Sequence, residues 1–277
     1  MTTRTRTTSS SKRRAGADRG RGSLTVVGTG VDIVSQLTPA ARAAIEAADE
    51  VAYLVTDPVA ALRVEALNPQ SRSLDGFYGE TKPRWETYAE IVDAIVSAVT
   101  GGARLCAVFY GHPGVFAWAP HEAIARVRTA GLPARMLPAV SALDCLLADL
   151  GIDPATTGLQ TYEATYFFVR RPAVDPHATL VLLQVGMLGD SYGAATDAVA
   201  ARFRLLVDRL AELYGGGREA ILYEASPVPG PPPATIRFAL GDAGTVAPGI
   251  LATLCVPGVA PPRKDREARR ALEVTGR

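Results

Sequence analysis

The sequence predicts an α/β protein made of two domains, and two observations support this class. Up to Pro138, short apolar runs of strand length alternate with stretches of helical periodicity, an alternation typical of a mainly parallel sheet. Beyond Pro138 the apolar runs are spaced differently, which indicates a second α/β domain with a mixed sheet. We predict a disordered basic tail (1–22), an N-terminal domain (23–138), a C-terminal domain (139–258) and a charged tail (259–277).

The N-terminal domain shows strand and helix signals in regular order. Strands are predicted at 24–27, 51–55, 105–109 and 134–137, and helices at 38–48, 57–67, 83–100 and 120–129. Thr38 is placed to cap its helix, with Pro39 at the first helical position, where its missing N–H costs nothing. The segment 71–82 has weak periodicity and is predicted to be a loop.

The C-terminal domain has fewer clear signals. Strands are predicted at 179–184, 220–223 and 250–256, a helix at 203–214, and a proline-rich surface loop at 227–233.

Charge is distributed unevenly along the chain. The formal net charge is +1, but between Ser23 and Pro262 there are 16 basic and 24 acidic side chains. A folded body with a net charge near −8 argues against binding to a phosphate backbone, so we expect no nucleic-acid partner.

The cysteines and histidines show no metal-site pattern. Cys106, Cys145 and Cys255 lie far apart in apolar stretches, and the three histidines have no metal-ligand spacing. We therefore expect no metal and three buried thiols in a reducing compartment. The sequence has no apolar run of membrane-span length, so we expect a cytoplasmic protein with no membrane partner.

Three glycine- or proline-containing loops follow predicted strands, at 28–32, 110–116 and 137–142. Open α/β sheets bind ligands at the carboxyl ends of their strands. Taken alone, each loop has a plain alternative: 28–32 as an ordinary strand-to-helix turn, His112 as a structural histidine, and 137–142 as a helix cap.

The order and spacing of the three loops resemble the tetrapyrrole methylase superfamily of S-adenosylmethionine-dependent enzymes, over residues 23–257. The sequence is more closely similar to the borosin α-N-methyltransferases, which methylate backbone amides of ribosomal peptides. The segments that carry this likeness are 22–30 (GSLTVVGTG), 109–116 (FYGHPGVF), 134–149 (ARMLPAVSALDCLLAD), 150–154 (LGIDP), 160–165 (QTYEAT) and 206–210 (LVDRL).

The resemblance implies two α/β domains with an S-adenosylmethionine cleft between them, and S-adenosylhomocysteine as the product. The residues it assigns to that cleft are Tyr110, His112, Val115, Ser141, Ala142, Gln184, Tyr223, Ala225, Ala252 and Thr253. Packing at strand ends is the alternative role of Val115, Ala225 and Ala252.

The segment 77–88 (FYGETKPRWETY) is also similar to the borosin enzymes. The resemblance assigns amide activation to Tyr78, Arg84 and Tyr88. Arg84 and Tyr88 stand four positions apart, a spacing that places side chains on one helix face. The alternative is that Tyr88 belongs to the apolar helix face and that Arg84 is a solvated charge.

The sequence departs from the fungal borosin pattern at three positions. Asp75, Ala139 and Leu143 replace a tyrosine, a glycine and a glutamate, so the peptide channel is expected to differ near Asp75. No Val/Ile/Gly-rich core peptide follows the last predicted strand, from which we expect a split enzyme acting on a separate precursor peptide. The resemblance also implies a homodimer. The alternatives are a porphyrin or corrin methylase and a non-catalytic protein that binds a partner.

Overall fold

The computed structural model of the chain describes residues 22–79, 82–190, 196–244, 246–259 and 264–272. The predicted disordered tail lies outside the described residues, apart from its last one. Within the predicted charged tail, the described part contains a short helix that begins after the side-chain cap of Asp265.

The chain alternates strands and helices. The strands are β1 (Ser23–Gly28), β2 (Glu50–Leu54), β3 (Ser71–Ser73), β4 (Arg104–Phe109), β5 (Ala134–Met136), β6 (Leu159–Glu163), β7 (Thr179–Leu183), β8 (Glu219–Glu224), β9 (Ala234–Ala239) and β10 (Thr253–Val256). The helices are α1 (Ile33–Gln36), α2 (Pro39–Ala47), α3 (Pro58–Leu67), α4 (Arg84–Thr100), α5 (Trp118–Thr129), α6 (Ala142–Leu150), α7 (Pro154–Thr157), α8 (Ala164–Arg170), α9 (Thr196–Tyr214) and α10 (Arg266–Ala271).

The chain forms two compact units. Unit 1 contains the described part of Met1–Thr29 together with Leu37–Phe77 and Glu86–Ala139. Unit 2 contains Gly30–Gln36, the described part of Tyr78–Trp85, and the described part of Val140–Arg277. Two short segments that the sequence assigned to the N-terminal domain therefore pack with unit 2.

Unit 1 is built on a five-stranded sheet in the order β3-β2-β4-β1-β5, with every strand pairing parallel. The apolar face of α4, which includes Ile91, Ile95 and Val99, packs in one buried cluster with Leu24 and Val26 of β1. Those helix positions recur every three to four residues, so they line one stripe of the helix. The mainly parallel sheet predicted from the sequence is confirmed.

Unit 2 is built on a mixed sheet in the order β6-β7-β10-β8-β9. Only β6 and β7 pair parallel, whereas the pairs that β10 and β8 make are antiparallel. Successive residues of β7 point to opposite faces of the sheet and so enter different hydrophobic clusters. Leu182 packs in one cluster with Phe203 of α9, and Val181 packs in another with Leu146 of α6. Both faces of the sheet are therefore covered, and the predicted mixed sheet is confirmed.

Capping residues in the sequence correctly predicted where two helices begin. The side chain of Thr38 accepts a hydrogen bond from the N–H of Ala41, and that of Asp57 accepts one from Ala60. In each helix a proline occupies the first turn, as predicted.

The prediction of a loop over 71–82 was wrong at its start. Residues 71–73 form β3, which pairs parallel with β2 at the edge of the unit 1 sheet. This largely exposed edge strand has the sequence Ser-Arg-Ser, so no apolar residue in the sequence indicates a strand here.

The strand predicted at 250–256 begins only at Thr253, and the side chain of Ile250 is exposed.

None of the described helices is both long enough and apolar enough to cross a lipid bilayer.

Candidate functional site

In unit 1, the loop after β4 carries three residues that are predicted to bind the methyl donor, S-adenosylmethionine. They are Tyr110, His112 and Val115. The N–H of Tyr110 donates to the carbonyl of Leu54, which ties the loop to the end of β2. The N–H of Gly114 donates to Nδ1 of His112 at 3.0 Å. Since Nδ1 accepts, a neutral imidazole here carries its proton on Nε2, the atom that can donate to a ligand.

The loops after β1 and β4 touch through their main chains. A Cβ atom on Gly28 would lie 2.0 Å from the carbonyl oxygen of Gly111 and 2.8 Å from Cβ of Ala139, so only glycine fits at position 28. Gly111 has φ of +65°, and a Cβ atom there would meet nothing within 4 Å. The second loop thus presents bare main chain beside open space.

In unit 2, Ser141 and Ala142 begin α6. The hydroxyl of Ser141 accepts from the N–H of Asp144, and the Asp144 carboxylate accepts from the N–H of Ser141 at 2.7 Å. This reciprocal arrangement is a capping box, which satisfies main-chain donors at the start of a helix. The helix-cap role that the sequence left open for this segment is therefore present.

Four further predicted residues meet at one edge of the unit 2 sheet, where β7 and β8 end and β10 begins. Gln184 adopts a left-handed conformation with φ of 61° directly after β7. The next residue donates its N–H to the carbonyl of Ala252, and Thr253 pairs with Tyr223 across the sheet. The structure brings these residues together although they are distant in sequence.

Tyr223 has a structural partner at this edge. Its side chain is buried, and its hydroxyl donates to the carboxylate of Asp149 on α6 at 2.6 Å. Ala225 packs against the same apolar cluster. A ligand at this strand end would meet the main chain of Tyr223 more readily than its ring.

Sequence reasoning missed a second close main-chain approach in unit 2. A Cβ atom on Gly186 would lie 1.9 Å from the carbonyl oxygen of Gly249, and one on Gly249 would lie 2.5 Å from Oε2 of Glu224. Neither glycine belongs to a motif, so only the folded chain reveals the contact.

The first loop, at 28–32, closes into a turn that continues into α1. The buried Asp32 carboxylate accepts from the N–H of Val34 and the hydroxyl of Ser35, and the Gln36 side chain accepts from the N–H groups of Val31 and Asp32. The Gln36 amide also reaches Sγ of Cys145, which explains why Gly30–Gln36 packs with unit 2. These bonds are those of the strand-to-helix turn that the sequence left open as an alternative.

The three residues predicted to activate the amide have different surroundings. Tyr78, in unit 2, is 42% exposed. Tyr88, in unit 1, is partly buried and packs against the cluster around Ile91 and Leu24, as its apolar-face alternative requires. Arg84 is the first residue of α4, and Nη2 of its guanidinium lies 3.5 Å from Oδ2 of Asp190. The Arg84 side chain is 22% exposed, so it is partly buried and paired rather than fully solvated.

The cysteines are free thiols. Burial raises the pKa of the Cys106 thiol and of the Cys255 thiol to about 12 in each case, and burial also raises the pKa of Cys145. Such thiols are poor nucleophiles at neutral pH. Across the described ranges, no cluster of three or more His, Cys, Asp or Glu side chains is arranged to hold a metal ion.

Residues 23–227 match the family described as Tetrapyrrole (Corrin/Porphyrin) Methylases. Solved structures share this fold. Uroporphyrin-III-C-methyltransferase from Thermus thermophilus aligns with a TM-score of 0.60 at 22% identity, covering 86% of this chain and 93% of that one. The methyltransferase CobJ aligns with a TM-score of 0.57 at 19% identity, covering 88% and 97%.

Curated relatives are more similar in sequence. The methyltransferase/ribosomally synthesized cyclic peptide dendrothelin A precursor of Dendrothele bispora is 41% identical over 221 residues, which is 80% of this chain and 53% of that protein. The omphalotin A precursor of Omphalotus olearius gives the same figures. The type I borosin cyclic peptide precursor of Coprinopsis marcescibilis is 38% identical over 264 residues, covering 91% and 67%. The chain spans about half the length of the first two relatives.

Proposed function

The chain belongs to the tetrapyrrole methylase family, in the branch of the borosin precursor methyltransferases, and from this premise we propose that it transfers methyl groups from S-adenosylmethionine to backbone amides of a ribosomal precursor peptide. The observation that carries the proposal is the 41% identity over 80% of the chain to proteins named as methyltransferase and peptide precursor in one. The two solved structures are 22% and 19% identical to this chain and support the fold alone.

The residues assigned to the donor fit a sulfonium ligand. None of the ten predicted side chains is a lysine or an arginine, so no permanent cation opposes the positive charge of the sulfonium. On the loop after β4, the main chain of Gly111 lies beside open space, and Nε2 of His112 is a hydrogen-bond donor. When bound, S-adenosylmethionine supplies an electrophilic methyl group.

An amide nitrogen must be made nucleophilic, because resonance with the carbonyl delocalises its lone pair. We assign removal of the amide proton to the phenolate of Tyr78 or Tyr88. A guanidinium beside the amide stabilises the negative charge that develops on the amide oxygen. We assign that role to Arg84, whose guanidinium is paired with Asp190. Tyr78 and the neighbouring Trp85 are both exposed, so a large substrate can reach this segment.

We further propose that the precursor peptide is carried on a separate chain and that the enzyme works as a homodimer. We also propose that it works in the cytoplasm, where its three free thiols stay reduced. Sedimentation of the purified chain tests the dimer.

Co-expression followed by mass spectrometry tests the activity. The substrate is the protein encoded beside this chain, if it ends in a hydrophobic tail. We expect mass increments of one methylene per transferred methyl, located on backbone amides. Arg84→Met should abolish them, whereas Arg104→Met, which removes a surface guanidinium paired with Asp49, should not. An unmodified precursor, or turnover of a porphyrin in its place, would contradict the proposal.

A further inference from the structure

Two hydrogen bonds hold the main chain that leads into Asp190. This residue follows a 3-10 helix over Val185–Met187, and its own N–H donates to the carbonyl of Met187 at 2.9 Å. The preceding residue, Gly189, donates its N–H to the hydroxyl of Thr165 on α8 at 3.0 Å. The turn that carries Asp190 is therefore tied to other parts of unit 2 by bonds that do not involve Arg84.

The Asp190 carboxylate is almost fully buried, and its side chain is only 4% exposed. Burial of a carboxylate is costly unless a cation or hydrogen-bond donors compensate the lost hydration. The Arg84 guanidinium supplies the cation, with Nη2 at 3.5 Å from Oδ2.

The ion pair with Asp190 engages only part of the Arg84 guanidinium. A separation of 3.5 Å between one nitrogen and one oxygen is looser than the fork-to-fork geometry in which both oxygens are bound at about 2.8 Å. Nε of Arg84 is buried and has no hydrogen-bond acceptor among the residues that the structure describes. The ion pair with Asp190 thus uses one nitrogen of the guanidinium, while the buried Nε is shielded from solvent.

We propose that Asp190 is a positioning residue that fixes the Arg84 guanidinium at the start of α4. This inference rests on the proposed function, since it assigns a purpose to the position of Arg84. Arg84 sits at the first position of its helix, beside the exposed Trp85, where a long side chain otherwise samples many rotamers. A buried carboxylate on a tethered turn selects one of them.

The first test measures the guanidinium directly and does not depend on turnover. In the full chain, the Nε–H resonance of Arg84 is assigned by its loss in Arg84→Lys. We expect this resonance to exchange slowly with solvent in the wild type and to broaden or exchange rapidly in Asp190→Asn. The control Glu219→Gln breaks an exposed ion pair with Arg237 in the same unit and should leave the resonance unchanged. A resonance that is unchanged in Asp190→Asn overturns the proposal.

The second test separates positioning from a purely structural role. A guanidinium displaced by about 1 Å from charge that develops in the transition state costs about tenfold to hundredfold in rate. Asp190→Asn should therefore lower kcat by that factor, with the KM for the donor unchanged and Glu219→Gln at the wild-type rate. If Asp190→Asn only lowers Tm while the folded protein keeps the wild-type kcat, the proposal is overturned. An inactive wild type with the expected resonance change would contradict the proposed function alone.

Discussion

The hydroxyl of Tyr223, at the end of β8, donates a hydrogen bond of 2.6 Å to the carboxylate of Asp149 on α6. This bond fixes the helix that begins at Ser141 against the strand end that carries Tyr223. The bond also gives the Tyr223 hydroxyl a structural role that the sequence did not predict.

The pair leads to a prediction about stability. Asp149→Leu leaves the buried Tyr223 hydroxyl without this acceptor, and we expect the free energy of unfolding to fall by about 1–3 kcal/mol. Tyr223→Phe leaves only the exposed Asp149 side chain, which water solvates, so its loss should be near 1 kcal/mol. Urea unfolding measures both. A strong loss of S-adenosylhomocysteine affinity in Tyr223→Phe with no loss of stability would show instead that the hydroxyl serves the donor.

The contact between Gly28 and Gly111 predicts a steric penalty in unit 1. In Gly28→Ala the new Cβ atom must displace main chain, and we expect the free energy of unfolding to fall by at least about 3 kcal/mol. The matched control is Gly76→Ala in the same unit, where a Cβ atom meets nothing within 4 Å. Equal urea midpoints for the two variants would contradict the close approach.

Because the thiols of Cys106 and Cys255 are buried, we expect the free energy of unfolding to fall at alkaline pH. In the folded chain the pKa of Cys106 and of Cys255 is about 12, whereas an unshifted thiol titrates near 9.0. The folded state therefore keeps these protons after the unfolded state has lost them. Stability should be independent of these thiols below pH 9 and should fall as the pH rises from about 9 towards about 12. Urea unfolding at a series of pH values measures the slope, and Cys106→Ala should reduce it. An unchanged slope in that variant would show that the Cys106 thiol is not responsible.

The tyrosine hydroxyls are expected to matter for turnover. If either phenolate is the base, removing its hydroxyl should lower kcat by about 10²–10⁴-fold. Tyr78→Phe and Tyr88→Phe test the two assignments separately, with kcat measured under donor saturation. The control is Tyr166→Phe, which removes an exposed hydroxyl on α8 and keeps the ring that stacks on Tyr162. If both single variants keep the wild-type kcat, neither tyrosine is the base.

Local chemistry explains which elements could be predicted from the sequence. Thr38-Pro39 and Asp57-Pro58 begin helices because a capping side chain and a preset φ act within one turn. The buried strands β4 and β7 contain continuous apolar runs, which is the pattern of a strand covered on both faces. These features depend on neighbours in sequence.

The parts that escaped prediction depend on neighbours in space. The edge strand β3 is largely exposed and has no apolar residue, so only its pairing partner defines it. The edge strand β9 alternates Ile236 and Phe238 with polar residues, a strand pattern that was not used in the prediction. The ion pair between Arg84 and Asp190 likewise joins the start of one helix to a turn that follows a distant strand. No spacing rule connects those two positions.

The most direct measurement of the proposed function is methyl transfer from S-adenosylmethionine labelled with a trideuterated methyl group. The purified chain and its precursor are mixed, and tandem mass spectrometry locates the label. We expect trideuteromethyl increments on backbone nitrogens of the precursor, absent in Arg84→Met and present in Arg104→Met. Label on side chains only, or a precursor without label while the chain binds the donor, would contradict the proposed function.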